Sequence, residues 1–378
     1  MNICFITSTR ADFGKLESLI QIIEDSPDHT AHIFATGMHM LHKYGYTFRE
    51  IEKKGFKYVF RNQHKSTPFD MNLTQTIKGL EQFLSVFKVC FDIPLDLIVI
   101  HGDRIEALAG AIIGNIHNIP VAHIEGGEVS GTIDGIIRHA ITKFSHIHLV
   151  ANEKAKMRLT QLGEAPKSIH IIGSPDMDIL LSDDLPTLEE VKQEYHIPGD
   201  EYAILIYHPN TFKLDNLEEN ISNLIKAVKE SNLNYIVIMP NSDLGNEIIY
   251  QEFLKLQPYK RFEVFPSIRF ERFLTLLKHA QFIIGNSSAG IREAPYYGTP
   301  TINIGSRQQN RSPDKNIINT DHSITHIKKA IEYALRQDLI PLHSWGDGNS
   351  DKEFLQLLHS GIIDRISLQK QFHLPIYK

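Results

Sequence analysis

Cysteine is scarce in this chain: Cys4 and Cys90 are the only two among 378 residues. Both lie in apolar stretches, a pattern that predicts two buried free thiols in a reducing, cytoplasmic setting rather than a disulfide scaffold. Histidine is plentiful at 20, yet no HExxH run or paired Cys/His spacing occurs, which argues against a zinc enzyme and predicts no metal site. Long apolar runs are missing too, none nearing the ~20 residues of a membrane span. The opening MNICFITSTR lacks a basic leader and turns polar at Thr7, so neither a secretory signal nor a membrane partner is expected. Excess positive charge is absent: the net charge is −6, which gives no electrostatic footprint for nucleic acid. Finally, neither half carries GxGxxG after its first strand, which argues against a dinucleotide cofactor held in the usual mode and against a redox enzyme. No cofactor is expected.

What is present is the composition of an ordinary globular protein, 42% hydrophobic and 22% charged. The length suits two domains with a cleft between them. Short β-branched runs alternate with helical patterns, the mark of an α/β fold with parallel sheets and crossover helices. Strands are expected at 3–9, 31–37, 97–103, 121–127, 146–152 and 169–175, and a second set begins at 202–209 and continues at 235–241, 262–267, 281–288 and 299–305. A charged, proline-bearing stretch at 183–201 separates the sets as a linker with one connecting helix. The expected layout is two Rossmann-like domains, 1–180 and 181–360, with 361–378 as a terminal segment that packs back on the first.

Ligands of open parallel sheets sit at the carboxyl ends of strands, so candidate residues are sought there. The run IIGNSSAGIREAPYYGTP (283–300) reads as a strand, a small polar turn and a helix start near Ala289. Asn286, Ser287 and Ser288 offer donors to a pyrophosphate, aided by the helix N-terminus, and Glu293 is placed to accept from a ribose hydroxyl pair. A simple N-cap by Ser287 or Ser288 is the competing reading. Asp103, Glu125, Glu128 and Asp134 fall at or just beyond ends of first-half strands, where paired carboxylates suit acid/base work on a sugar ring. Magnesium binding is the alternative, and Arg104 and Arg138 weigh against it by competing for the same carboxylates. Arg10 and Lys15 in the opening turn and Arg307 after the last strand are anion contacts by type. His208 and His39 follow strands and are read as either cleft-facing or packed.

Together these residues make a chain that resembles the hydrolysing UDP-N-acetylglucosamine 2-epimerases of bacterial sialic acid synthesis. The runs that carry the resemblance are TSTRADFGKL, TGMHMLHKYG, HGDRIEALAG, HIEGGEVSGTIDGIIRHAITKFSHIHLVANE, IIGSPD, HPNT, GNSSAGIREAP and GSRQQNR, collinear from position 7 to 311. The resemblance implies a glycosyltransferase-B fold, a UDP-sugar substrate and homodimers or homotetramers. It implies Asp103, Glu125 and Asp134 as catalytic carboxylates, Arg138 as their orienter and His208 as an aid at the diphosphate. Arg10, Lys15 and Arg104 would lie near phosphate or uridine-linked groups, and His39 at the sugar. Ser287, Ser288, Glu293 and Arg307 would hold UDP.

Related non-hydrolysing enzymes carry glutamate where Asp134 stands and glutamine and charged residues around GMHMLHKYG, so this chain has the hydrolysing pattern. The implied reaction eliminates UDP to 2-acetamidoglucal and then adds water, giving N-acetylmannosamine. Close relatives act on UDP-2,4-diacetamido-2,4,6-trideoxyglucose, and the motifs do not separate the two sugars. A retaining glycosyltransferase and a silent nucleotide-sugar sensor are the rival classes; neither accounts for the carboxylate trio.

Overall fold

Runs of Val, Ile and Phe that close in small polar residues are the material of buried parallel strands, and the computed structural model pairs them into two sheets. It describes residues 1–42, 45–63, 72–91, 94–129, 133–182, 184–210, 215–240, 243–308, 315–342 and 344–374. The expected strand end at Asn241, and parts of the runs GMHMLHKYG, HIEGGEVSGTIDG, HPNT and GSRQQNR, lie outside them.

The chain divides into two compact units. Unit one comprises Met1–Glu128, Asp134–Ser182 and Trp345–Lys378. Its strands are β1 (Asn2–Thr7), β2 (Thr30–Ala35), β3 (Val59–Arg61), β4 (Leu97–His101), β5 (Val121–Ile124), β6 (Ile147–Val150) and β7 (Ile169–Ile171). They form one parallel sheet in the order β3-β2-β1-β4-β5-β6-β7. Alternate residues of a strand face opposite sides, so Ile3 and Phe5 enter one core cluster while Cys4 and Ile6 enter another. Apolar side chains on both faces are what a sheet covered by helices on both sides requires.

Unit two comprises Val129–Ile133 and Asp183–Ser344. Its strands are β8 (Ala203–Ile206), β9 (Tyr235–Ile238), β10 (Phe262–Phe265), β11 (Ile283–Gly285), β12 (Thr301–Ile304) and β13 (Ile317–Thr320), in the parallel order β10-β9-β8-β11-β12-β13. Helices Leu217–Glu230 and Ile324–Ala334 bury Leu224 and Ile331 in the core cluster that holds Leu205, Val237, Ile284 and Ile302. Both units are doubly wound parallel α/β structures of the glycosyltransferase-B type. Strand order reverses beside β1 and β4 in the first and beside β8 and β11 in the second, and at such switch points the strand ends splay and leave room for a ligand.

Three differences from the sequence pattern follow from local physics. The strands end short of the expected limits because their closing residues leave the ladder; Gly102 (φ 74°) and Glu125 (φ 61°) adopt left-handed backbone. β3 and β13 went unexpected, being short, half-exposed edge strands. The chain returns to unit one from Trp345, ahead of residue 361. Helix Ser350–His359 packs on helix Arg10–Glu24, with Phe354 edge-on to Phe5 at 6.3 Å between ring centroids. The expectation for Cys90 is also corrected: Cys4 is buried, but Cys90 is exposed on helix Asn72–Phe91. Among the described residues, no helix is long and apolar enough to cross a membrane.

Candidate functional site

In unit one the switch point gathers side chains from the ends of β4 and β5 and from helix Ile133–Phe144. Arg138, buried on that helix, donates from Nη1 to the Glu125 carbonyl at 2.7 Å and from Nη2 to the Asp103 carboxylate. One guanidinium therefore joins two of the three expected catalytic carboxylate residues through its fork of donors. Asp134 stands in the first turn of the same helix, four residues before Arg138 and so on the same face. Glu125 is a non-glycine residue in the left-handed region (φ 61°), a conformation that costs on the order of 1 kcal/mol and collects at functional sites. Its backbone is held there from both sides, since its N–H donates to the Leu149 carbonyl at 2.8 Å while its own carbonyl receives Arg138.

The Glu125 carboxyl is buried. Oε2 lies 2.9 Å from His101 Nε2, and Oε1 meets the Ser174 hydroxyl. Ser174 also meets the Asp176 carboxylate, whose other oxygen accepts from Lys15 Nζ at 2.6 Å. Both Ser174 and Asp176 are fully buried. They sit where β7 turns at Gly173 (φ 81°) into helix Asp176–Leu180.

The opening turn is more committed than its charges suggested. Lys15 is engaged with Asp176, and Arg10 Nε donates to Glu50 at 2.7 Å. Arg104 precedes helix Ile105–Ile116 with extended backbone, and its Nη2 lies 4.0 Å from Met38 Sδ.

His39 has no exposed surface, and both its ring nitrogens are bonded within unit one. The Thr7 hydroxyl donates to Asp12 at 2.5 Å, so His39 Nε2, 3.0 Å away, must donate to Thr7, and Nδ1 accepts from Thr47 Oγ1 at 2.8 Å. Burial lowers its pKa from 6.5 to about 4, which keeps the ring neutral.

In unit two the centre is Asn286. Gly285 (φ 134°) brings the chain so close to β8 that a Cβ there would meet the Ile206 carbonyl oxygen at 1.8 Å. The next residue then clasps His208: Asn286 Oδ1 accepts from the His208 N–H at 2.7 Å and Nδ2 donates to the His208 carbonyl at 2.8 Å. The Asn286 carbonyl in turn accepts from Arg307 Nη1 at 3.1 Å and Gln308 Nε2 at 2.9 Å. The amide expected to face a phosphate thus organises the turn.

Ser287 and Ser288 are half-buried, and Glu293 is buried. The helix after them starts at Ala289, as expected, but is short. It spans only Ala289–Arg292, with Ser288 helical in backbone and making no side-chain cap, before a 3-10 turn Ala294–Tyr297. One turn sums few peptide dipoles, so an anion there would depend on backbone N–H groups, hydroxyls and Arg307 rather than on a helix dipole. A cavity of about 790 Å³ opens at the ends of β12 and β13, walled by Asn210, Asn286, Ser306, Arg307 and His322 among others. That is the size class of a small-molecule site. Ser287, Ser288 and Glu293 are not in its wall.

Residues 21–359 match the family model described as UDP-N-acetylglucosamine 2-epimerase. The chain belongs to this family. It is similar to the UDP-N-acetylglucosamine 2-epimerase of Neisseria meningitidis serogroup B, 47% identical over 97% of each chain. The UDP-N,N'-diacetylbacillosamine 2-epimerase (hydrolyzing) of Legionella pneumophila is 32% identical, covering 96% of this chain and 98% of that one. Among solved structures, the Methanocaldococcus jannaschii UDP-GlcNAc 2-epimerase in complex with UDP-GlcNAc and UDP shares the fold at a TM-score of 0.81 and 22% identity, over 96% of this chain and 100% of that one.

For a member of the epimerase family, the residues that sequence reasoning passed over are the partners rather than the carboxylates. His101 and Ser174 contact Glu125, Asp176 meets Ser174, and Glu50 holds Arg10. Ser174 and Asp176 did lie within the quoted run IIGSPD, at the carboxyl end of β7, and that position was the available signal.

Proposed function

We propose that this chain is a hydrolysing epimerase that converts UDP-N-acetylglucosamine and water to N-acetylmannosamine and UDP. The observation that carries the reading is Arg138 bridging Asp103 and the strained Glu125. Two carboxyl-bearing residues tied to one guanidinium, Asp103 by its carboxylate and Glu125 by its backbone carbonyl, suit removal and return of a proton at one carbon. Relatives in Legionella pneumophila and Campylobacter jejuni, at 32% and 36% identity, carry the word hydrolyzing in their names, which supports the hydrolytic outcome.

The proton on carbon 2 of the hexosamine has no neighbouring ketone, so a base alone removes it too slowly. Stretching of the bond from carbon 1 to the UDP oxygen builds positive charge on the ring and acidifies that proton. The matching negative charge grows on the diphosphate, which in this reading meets Ser287, Ser288, His208 and Arg307, with Glu293 on the ribose. Arg10 and Arg104 supply further positive charge toward phosphate or uridine-linked groups, and Lys15 acts through Asp176. Elimination gives 2-acetamidoglucal, and water then adds at carbon 1 as carbon 2 is reprotonated on the opposite face, with Asp103, Glu125 and Asp134 as the proton-handling groups.

The same two relatives are named for UDP-N,N'-diacetylbacillosamine and GDP/UDP-N,N'-diacetylbacillosamine, which favours the diacetamido-trideoxy sugar as the second reading of the substrate. Proton NMR of the purified protein with each UDP-sugar in deuterated water tests both. Free N-acetylmannosamine carrying deuterium at carbon 2, with UDP, is expected from UDP-N-acetylglucosamine. A UDP-linked mannose epimer would refute the hydrolytic reading, and reaction of only the diacetamido sugar would reassign the substrate.

A further inference from the structure

Three left-handed residues shape the loops at the ends of β4 and β5: Gly102 (φ 74°), Glu125 (φ 61°) and Gly127 (φ 78°). A left-handed residue takes the chain out of the strand ladder, so its carbonyl needs a donor from elsewhere. Each of the three receives one from a side chain. His123 Nε2 donates to the Gly102 carbonyl at 2.7 Å, Arg138 Nη1 to the Glu125 carbonyl at 2.7 Å and Arg158 Nη1 to the Gly127 carbonyl at 3.1 Å. Half-buried Arg158 lies on helix Glu153–Gln161, three residues after Ala155 and so on the same face. Ala155 is fully buried, and a Cβ on Gly127 would come within 2.5 Å of its carbonyl oxygen. Residue 127 is therefore glycine for two reasons, its positive φ and this close approach. The Asn152 side chain caps the helix by accepting from the Ala155 N–H at 3.0 Å, which fixes the face on which the loop sits.

We propose that Arg158 is a positioning residue for the reaction: it pins the Gly127 end of the turn as Arg138 pins the Glu125 end, and the two guanidiniums together aim the Glu125 side chain. This rests on the reading of Glu125 as a proton-handling group given above. The turn between the two anchored carbonyls is Gly126 alone, and Gly126 and Gly127 have the widest backbone freedom of any residue type. Glu125 itself stands in a conformation that costs free energy. Anchored at one end only, such a turn has other conformations open to it, each of which swings the Glu125 side chain elsewhere. Anchoring carbonyls two residues apart, from two different helices, removes them.

Arg158→Met keeps an apolar stem and removes the donor. With the UDP-sugar that the wild-type chain turns over, kcat of this variant should fall by between about 10-fold and about 100-fold, the cost of a small misplacement of a reacting group. KM and UDP affinity should be unchanged. Arg158→Lys should recover most of the rate, because a single carbonyl asks for one donor and an ammonium supplies it. Guanidinium added to Arg158→Met at millimolar concentration should raise its rate as well. Wild-type kcat in the methionine variant, or a loss of kcat matched by an equal loss of UDP affinity, overturns the proposal. So does a rate that neither lysine nor guanidinium restores.

Amide hydrogen exchange on the full chain separates this proposal from the hydrolytic reading. The amides of residues 125–128 should exchange faster in Arg158→Met than in the wild type, while those of β4 and β6 keep their wild-type rates. Equal protection of the loop in the two proteins overturns the proposal whether or not the chain turns over any UDP-sugar. If the loop loosens as expected but wild-type protein makes no free sugar, the hydrolytic reading fails and the anchoring of the Glu125 turn by Arg158 stands.

Discussion

Asn286 grips His208 by both polar ends of its backbone, accepting from its N–H at 2.7 Å and donating to its carbonyl at 2.8 Å. The two residues are 78 positions apart and both are buried. A side-chain amide is the one common group that presents an acceptor and a donor at matching spacing. The histidine loop and the serine turn of unit two are therefore a single rigid piece.

Asn286→Ala should free that piece. It orphans a buried donor and a buried acceptor, each worth about 1–3 kcal/mol, so the thermal midpoint should fall together with UDP affinity. Calorimetric titration with UDP checks the second effect; unchanged affinity would separate the clasp from nucleotide binding.

Arg138→Ala should reduce kcat by about 100-fold or more, because Asp103 loses its anchor and the left-handed Glu125 loses the donor on its carbonyl. Arg138→Lys should recover only part, as an ammonium lacks the fork that reaches both groups. UDP binding, read separately, should be retained in both variants, and a full recovery by lysine would contradict the bridging role.

Two wholly buried histidines predict acid sensitivity in unit one. Burial lowers His39 from 6.5 to about 4 and His123 from 6.5 to about 3. His123 Nε2 lies 2.7 Å from the Gly102 carbonyl, which can only accept, so this nitrogen carries a hydrogen in the neutral ring. The unfolded chain binds these protons more readily than the folded one, so their contribution is intact above about pH 6.5 and declines as the pH falls toward about 4 and then about 3. Urea midpoints should drop between about pH 7 and about pH 5, and His39→Gln should flatten the slope. A midpoint independent of pH would show that burial of these rings is not felt.

The terminal segment makes a separate prediction about stability. Burial would raise the Glu164 carboxyl, but His148, Lys143 and Lys370 outweigh it and lower the group to about 2. Lys370, which reaches Glu164 at 2.6 Å, comes from the returning segment, and His373 N–H donates to the Gly163 carbonyl at 2.9 Å beside it. Lys370→Met should destabilise unit one by about 1–3 kcal/mol, below the full cost of an isolated buried charge because Lys143 and His148 remain. Adding Glu164→Gln should recover part of the loss in a thermal melt; a double variant worse than the single would count against the pairing.

Most strands were legible because a parallel strand buried on both faces must be a short apolar run, and such runs stand out between helical patterns. β3 and β13 did not, as half-exposed edge strands of three and four residues show no period. Within the site, Asp103, Glu125 and Arg138 were legible from their places after strands and within the runs that carry the resemblance. The partners of Lys15, Arg10 and His39 were not legible, because the sequence places a charged or imidazole side chain after a strand without saying what it touches, and Asp176, Glu50, Thr7 and Thr47 are the groups it does touch.

The sequence by itself determined the α/β class, the division into two parallel-sheet units and the family, because apolar periodicity and collinear runs are local properties of the chain. Only the tertiary structure decided what each ionisable group touches. Lys15, His101, Glu125, Arg138, Ser174 and Asp176 are brought together by sheet order and left-handed turns, and proton affinity depends on neighbours within a few ångströms, which spacing along the chain does not encode.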